Sequence, residues 1–325
     1  MKGIDKRENA LIHHSIEQML HDARSILLIS HISPDGDAVG SILGMGLVLK
    51  AKSKQVQMVL VDGLPAKYLF LNGSEYIECE VKNPYDLSIA LDCSDLRRTG
   101  LSLKENKFDI NIDHHITNEY FASFNLVDAG AAATSEILAE YIPRWGFEIN
   151  TSVANALLMG IITDTIGFRT VNTSPKLLRL AANLMEKGAD ITTIYRKALL
   201  DQSIKASLLW GFSLCKLRKQ GKIIYTSITL EDRQKAGYSG KDDADLSNML
   251  SDIADGEVSI LFNEKSPNSV KVSWRSRSKL NVAKIAQHFS GGGHPAAAGA
   301  EVQLGLLAAQ EKVLQTTQVF INKNS

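Results

Sequence analysis

Four short clusters of carboxylate and imidazole side chains mark the first half of this 325-residue chain. They are His31, Asp35 and Asp37 in HISPDGDAVGS, Asp92 and Asp95 in LDCSD, Asp113, His114 and His115 in NIDHHITN, and Asp164 in TDT. Left alone, clustered carboxylates repel one another and some stay protonated. Divalent cations remove that conflict. Asp and His together, without cysteine, suit Mn²⁺, with Mg²⁺, Co²⁺ or Zn²⁺ as competitors. Roughly six such groups exceed the ligand set of a structural zinc, and suggest two ions sharing one carboxylate. A pair of ions about 3.5–4 Å apart is the usual arrangement for in-line attack of hydroxide on phosphorus. Each cluster alone is weak: a lone PDGD is usually a turn, and a lone LDCSD a strand end followed by a helix cap. Their ordered recurrence after apolar elements is the stronger signal.

Those apolar elements must do the positioning. SILLIS (25–30) is rich in β-formers and leads into a turn with Pro34 and Gly36, then the helical AVGSILGMGLVLKAK. The pattern recurs in LSIALDCSD (87–95) and in KFDINIDHH (107–115), where Phe108, Ile110 and Ile112 alternate. ATSEILAEYIPRWG predicts a helix with Thr134 or Ser135 near its start. TSVANALLMGIITDT (151–165) is ambiguous by periodicity, but its length and alanines favour a helix. Strands alternating with helices predict an α/β fold built on a parallel sheet. In such sheets ligands sit outside the carboxyl ends of the strands, so clusters at those ends converge although they lie far apart in sequence. Within NIDHHITN, strand alternation sends neighbouring side chains to opposite sides, so His114 and His115 cannot share one job. Residues 7–23 predict an amphipathic helix, whose His13, His14 and His21 read as helix histidines rather than catalytic groups.

From about residue 190 the texture changes. DITTIYRKALLDQSIKASLLWGFSL predicts a helical linker over 191–220, between a catalytic domain (1–190) and a smaller α+β domain (221–325). The latter's strands are KIIYTSITL, VSILFNE and VKVSWRSRS, followed by the amphipathic NVAKIAQHF. Alternation in VKVSWRSRS puts Lys271, Ser273, Arg275 and Arg277 on one face, and Val272 and Trp274 on the other. Gly291, Gly292 and Gly293, beside His294, offer main-chain N–H groups that a bulky residue would block, an anion cradle. The segment is neither a Walker loop nor a dinucleotide fingerprint, because the flanking residues of both are missing.

The composition, 44% hydrophobic and 22% charged with a formal net charge of zero, is that of an ordinary globular protein. Zero charge argues against a long track for duplex nucleic acid, and leaves room for a short anionic ligand held by a few local cations. Cys79, Cys93 and Cys215 have no metal-like or paired spacing and read as free thiols of a reducing cytosol. The N-terminus lacks the apolar core of a signal peptide and no apolar run is long enough to span a bilayer, so a cytoplasmic protein without a membrane partner is expected.

HISPDGDAVGS, LDCSD, DHH and TDT, in this order, resemble the four motifs of the DHH phosphoesterases. GGGHPAAAGA (291–300) resembles the Gly-rich signature of the DHH-associated C-terminal domain. Together they span nearly the whole chain. Its length and second domain are most similar to the branch of nanoRNases and 3′-phosphoadenosine 5′-phosphate phosphatases. The resemblance implies an active site in the cleft between a parallel-sheet domain and the α+β domain. It implies that His31, Asp35 and Asp92 hold one Mn²⁺, and that Asp37, Asp92, His114 and Asp164 hold the other, with Asp92 bridging. His115 then faces the scissile phosphate, Asp113 orients its neighbourhood, and Arg169 meets a phosphate. Arg275, Gly291, Gly292, Gly293 and His294 bind the terminal nucleotide, while Asp95 caps the following helix. One departure stands out: many relatives read Thr-Asp-Thr-Gly in the fourth motif, whereas here Ile166 precedes Gly167, which bears on the backbone at 166–167 and the aim of Arg169. The implied substrates are short single-stranded oligoribonucleotides and 3′-phosphoadenosine 5′-phosphate, cleaved to AMP and phosphate, with a homodimer as a possible assembly. The alternative is a phosphodiesterase of cyclic di-AMP or its linear dinucleotide. A nucleotide-binding module without catalysis is disfavoured by the complete ligand set.

Overall fold

The computed structural model describes residues 6–101 and 107–324. The segment 1–5, part of the N-terminus in which no signal peptide is expected, lies outside the described residues. The chain divides into two compact units, residues 1–201 and 202–325.

In the first unit α1 (Lys6–Asp22), β1 (Ser25–Ile29), α2 (Gly36–Ala51), β2 (Gln55–Val59), β3 (Ile77–Glu78), β4 (Leu87–Leu91), β5 (Ile110–Asp113) and β6 (Phe124–Val127) are followed by four helices. These are α3 (Thr134–Arg144), α4 (Thr151–Asp164), α5 (Pro175–Glu186) and α6 (Ile191–Tyr195). The strands form one all-parallel sheet in the order β3-β2-β1-β4-β5-β6, as the alternation of strands and helices predicts. The sequence reading overlooked β2, β3 and β6, which are short or carry polar residues at alternate positions. Strand order reverses between β1 and β4, the switch point where open parallel sheets leave a crevice at their carboxyl ends. Ile26 and Leu28 point into the main core with α2 and α4, while Leu27 and Ile29 meet Val59, Phe108 and Ala122 on the other face.

Helices α2 and α4 cross closely because glycines let them. A Cβ on Gly40 would lie 2.5 Å from the Ala156 carbonyl oxygen. His13 stacks on Tyr141 at 4.0 Å, His21 meets the Trp145 carbonyl at 2.9 Å, and His14 is exposed.

The helix read over 190–214 is not continuous. After α6 comes a π-turn, Arg196–Leu200, then a break at 201–203 where Ser203 caps a new helix, α7 (Ile204–Leu214). The boundary between the units falls in this break. Residues 218–220, read as linker, form a strand. The helical pattern is real, but Ser203 offers the N-cap that restarts it.

The second unit continues through β7 (Arg218–Gln220), β8 (Ile223–Ile228), α8 (Leu230–Ala236), α9 (Leu246–Leu250), β9 (Val258–Ser266), β10 (Ser269–Ser276), α10 (Val282–Gln287), β11 (Gly292–His294), β12 (Ala297–Val302) and α11 (Leu306–Asn324). Its mixed sheet runs β11-β12-β10-β9-β8-β7, with β8 and β9 parallel and the other pairs antiparallel. Val272 and Trp274 are fully buried and Lys271 and Arg277 exposed, so the alternation read in β10 holds. Among the described residues no helix is long and apolar enough to cross a membrane.

Candidate metal centre

The centre is assembled at the switch point. His31 follows β1, Asp92 follows β4 and His114 follows β5, three adjacent strands whose carboxyl ends open side by side. Two helix ends complete it. Asp35 is the N-cap of α2: its Oδ1 accepts from the N–H groups of Asp37 and Ala38 at 3.0 and 3.1 Å. That leaves Oδ2 facing the Nε2 of His31, 3.7 Å away. Asp37 lies in the first turn of α2, and Asp164 is the last residue of α4. A carboxylate at the negative end of a helix is placed against the dipole unless a cation joins it.

Asp92 is the hinge of the arrangement. It is buried, and its two carboxylate oxygens face different partners: Oδ2 lies 3.5 Å from His31 Nε2, Oδ1 lies 3.7 Å from His114 Nε2. Around His114 the other carboxylates are Asp37 Oδ2 at 3.9 Å and Asp164 Oδ2 at 3.3 Å. Two ligand sets thus share one residue: His31, Asp35 and Asp92, and Asp37, Asp92 and His114 joined by Asp164. Such spacings suit donors of a common ion, since bonds of about 2.1 Å at roughly 90–110° separate their ends by about 3.0–3.5 Å. The imidazoles are prepared in the same sense. His31 Nδ1 meets the Ile32 carbonyl at 2.9 Å and His114 Nδ1 the Ala131 carbonyl at 3.4 Å. The proton is thereby held on Nδ1 and Nε2 is turned to the carboxylates, as in metal-binding histidines. These donors fit a pair of hard or borderline divalent cations.

The electrostatics give the same account. Burial raises the Asp37 carboxyl to about 7, and the charge of Asp92 adds to it. Burial likewise lifts Asp164 well above the carboxylate range, with Asp37, Asp35 and Asp92 pushing the same way. Loss of water lowers His31, but hydrogen bonds to Asp35 and Asp92 outweigh it and raise the imidazole to about 10. Asp35 is held below the ordinary carboxylate range because His31 overcomes its desolvation. Carboxyls forced to keep protons beside imidazoles forced to gain them describe a site short of positive charge.

Residues that the sequence reading left without a role hold the ligands in place. Asp37 accepts main-chain N–H bonds from Thr134 at 2.5 Å and Ser135 at 2.9 Å, so a carboxylate of α2 caps α3. Thr134 and Ser135 open α3, as expected of a helix with these residues near its start; the cap residue is Ala133, which has no side-chain bond to give. The Thr134 hydroxyl donates to Asp92 Oδ1 at 3.0 Å. A Cβ on Gly160 would meet Ser135 Oγ at 2.1 Å and Asp37 Oδ1 at 2.8 Å, so α4 must present a glycine there.

His115 is placed differently from His114. Its Nδ1 meets Asp113 Oδ1 at 2.7 Å, with Asp92 Oδ1 farther off at 3.7 Å. Burial raises the Asp113 carboxyl, but the His115 hydrogen bond more than reverses this and sets it at about 2. Asp95 accepts from the Arg98 N–H at 3.1 Å, capping the short turn that follows. Arg169 is exposed on the loop after α4, where Ile166, Gly167 and Phe168 all have positive φ (48°, 72° and 65°). A β-branched residue there is strained; Tyr195 stabilises the turn by donating to the Gly167 carbonyl at 2.9 Å.

In the second unit the Gly-rich segment is a β-hairpin, not a free loop. The Gly291 N–H is taken by the Ala286 carbonyl at 2.9 Å. Two of its glycines answer to close packing, a Cβ on Gly291 lying 2.2 Å from the Gly299 oxygen and one on Gly293 2.5 Å from that of Ala297, while one on Gly292 would meet nothing within 4 Å. His294 ends β11. Arg275, on β10, is held by neutral groups, its Nε and Nη2 donating to Asn248 Oδ1 at 3.2 and 3.0 Å and Nη2 to Ser247 Oγ at 3.3 Å.

Comparison with known proteins agrees with this architecture. Residues 25–161 match the DHH family N-terminal domain and residues 220–323 the DHHA1 domain. The bifunctional oligoribonuclease and PAP phosphatase NrnA of Thermus thermophilus is 34% identical over 90% of this chain and 89% of its own. The protein of that name from Mycoplasma genitalium is 30% identical over 85% of this chain and 87% of its own. A crystal structure of an exopolyphosphatase-related protein from Bacteroides fragilis superposes with a TM-score of 0.86 at 26% identity, covering 97% of this chain and 96% of that one. The chain belongs to the DHH family of phosphoesterases, with a DHH N-terminal domain followed by a DHHA1 domain.

Proposed function

We propose that this chain hydrolyses short single-stranded oligoribonucleotides and 3′-phosphoadenosine 5′-phosphate with two Mn²⁺ ions. The observation that carries the reading is the Asp92 carboxylate, which offers one oxygen to each of two adjoining ligand sets. The similarity to relatives named for these two activities supports the choice of substrates. His31, Asp35 and Asp92 hold one ion, and Asp37, Asp92, His114 and Asp164 the other. When bound, such ions acidify water and neutralise charge on phosphoryl oxygens. The chain's own groups do the rest. Asp92 fixes the spacing of the two sets, and the α3 N-terminus orients Asp37. His115, oriented through Nδ1 by Asp113, faces an oxygen of the phosphate ester. Arg169 meets a phosphate from the loop after α4. Arg275 and His294 bind the terminal nucleotide; the hydrogen bonds of the Arg275 guanidinium go to neutral amide, hydroxyl and carbonyl oxygens, and the charges of Asp243 and Asp245 bear on it without taking those bonds.

The test is Mn²⁺-dependent turnover across dinucleotides, pentanucleotides, cyclic di-AMP, 3′-phosphoadenosine 5′-phosphate and pyrophosphate. Highest kcat/KM on dinucleotides or pentanucleotides, with 3′-phosphoadenosine 5′-phosphate also cleaved, is the expected outcome. A preference for cyclic di-AMP or pyrophosphate would overturn the substrate assignment and leave the metal centre standing.

A further inference from the structure

The turn 115–118 closes with the Asn118 N–H donating to the His115 carbonyl at 3.1 Å, and this folds Asn118 back against the end of β5. There its side-chain oxygen accepts from the Tyr120 N–H at 2.7 Å. That bond fixes the amide's orientation, so the nitrogen faces the other way. The nitrogen donates to Asp113 Oδ2 at 2.6 Å and to Asn111 Oδ1 at 2.8 Å, with the Cys93 carbonyl at 3.3 Å. Asn111 is buried and anchored in turn by the Ala90 and Cys93 carbonyls at 3.3 and 3.1 Å. Asn118, braced by the buried Asn111, therefore holds one oxygen of Asp113. The other oxygen, Oδ1, takes His115 Nδ1 at 2.7 Å, while Asp92 Oδ1 stands 3.7 Å from that same nitrogen. Two carboxylates compete for one N–H.

We propose that Asn118 is a positioning residue: by pinning Asp113 Oδ2 it keeps Asp113 Oδ1 on His115 Nδ1, which holds the imidazole off Asp92 and sets the orientation in which the ring meets the phosphate ester. The inference rests on the reading of His115 as the imidazole that faces substrate. Without the amide, Asp113 turns about its last side-chain bond, and His115 is free to draw on the carboxylate that two ions must share. Groups that orient an active-site imidazole are commonly worth about 10–100-fold in activity.

Two substitutions separate this role from simple support of the turn. Asn118→Asp keeps an oxygen for the Tyr120 N–H but has no hydrogen to give Asp113; Asn118→Ala loses both. ¹⁵N-resolved imidazole spectra of the full chain with Mg²⁺ report which nitrogen of His115 carries the proton, and His115→Ala assigns the signal. The wild type should show a proton fixed on Nδ1. Both Asn118 variants should lose that single tautomer and lose about 10–100-fold in kcat on a dinucleotide. The loss should disappear when Asn118→Asp is made in the His115→Ala background. A wild-type tautomer and rate in Asn118→Asp would overturn the proposal and reduce Asn118 to a turn cap. So would losses that multiply in the double variant. If His115→Ala alone turns over normally or drops an ion, the reading of His115 fails instead, and the tautomer spectra still decide whether Asn118 fixes the ring. Should Asn118→Asp fold poorly, Asn118→Ala carries the same spectral comparison.

Discussion

Replacing Thr134 by valine removes one hydrogen bond from the metal centre and little else. The side chain is fully buried, so a methyl of equal size fills the same space. The bond to Asp37 comes from the main-chain N–H and survives. What disappears is the 3.0 Å donation from the hydroxyl to Asp92 Oδ1. Hydrogen bonds to charged groups contribute about 1.5–3 kcal/mol, and about 1.4 kcal/mol is tenfold in an equilibrium constant. Because Oδ1 faces His114 while Oδ2 faces His31, the loss should fall on one ion of the two. Thr134→Val is therefore expected to weaken the ion of the Asp37, His114 and Asp164 set by about 10–100-fold. The other ion should change much less. Calorimetric titration with Mn²⁺ near neutral pH should resolve two binding steps, and Thr134→Ser, which restores the hydroxyl, should return the wild-type isotherm. Equal weakening of both steps would refute the division of Asp92 between two ions, and an unchanged isotherm would show that the hydroxyl does not tune the site.

Three further outcomes follow from the same geometry. Gly160→Ala places a methyl 2.1 Å from Ser135 Oγ and 2.8 Å from Asp37 Oδ1, so it should destabilise the fold by about 1–3 kcal/mol and weaken Mn²⁺ binding without altering a ligand; a wild-type melting curve and isotherm would contradict this. With divalent ions removed by a chelator, the melting temperature should fall as pH rises from about 6 to about 9. Asp37, raised to about 7 in the folded chain, and Asp164, raised well above the carboxylate range, bind protons that the unfolded chain has already released, while the stability from His31, full below its ordinary 6.5, is lost as pH rises towards 10. The depressed Asp35 and Asp113 lose their contribution only in strong acid, outside that window. Saturating Mn²⁺ should flatten the slope, and a melting temperature that rises across the window would refute the assignment. Arg275→Ala should raise KM for a short RNA far more than for a generic aryl phosphodiester; equal losses on both would exclude Arg275 from substrate binding.

What the sequence made legible was the chemistry and the ends of the strands that carry it. His31, Asp92 and His114 stand at the ends of apolar runs, and the parallel-sheet rule alone brings such ends together. Asp37 and Asp164 were legible as carboxylates, but their approach depends on the crossing of α2 and α4, which rests on Gly36, Gly40 and Gly44 at four-residue spacing on one face of α2, a pattern that shows close packing without naming the partner helix. Thr134 and Asn118 were out of reach for another reason: Thr134 acts through one contact distant in sequence, Asn118 through a turn that folds it back on Asp113 and Asn111, and Ser, Thr and Asn near turns and helix starts are ordinarily local caps. The flanking asparagines of NIDHHITN were visible as residues, yet only the turn at 115–118 reveals that they face each other.

Asp92 shows why the metal chemistry was the easiest part to read. Its φ is 54°, a left-handed conformation that turns the chain sharply out of β4, while its N–H stays bonded to the Ile112 carbonyl at 2.9 Å. Aspartate and asparagine are the side-chain-bearing residues that enter this region most readily. Of the two, only aspartate offers an anionic carboxylate to bridge cations. The backbone that aims the group and the reaction that needs it therefore select the same residue, and a demand made twice leaves a clear mark in sequence. Ile166 is the opposite case. It too is left-handed, at φ 48°, but a β-branched side chain is disfavoured there, so no local rule predicts the turn that follows Asp164. That turn is held by local bonds, the Gly167 N–H to the Ile162 carbonyl at 2.7 Å and the Phe168 N–H to Thr165 Oγ1 at 2.9 Å, together with the Tyr195 hydroxyl on the Gly167 carbonyl, and a disfavoured residue kept in place by several bonds at once is one that residue preferences do not announce.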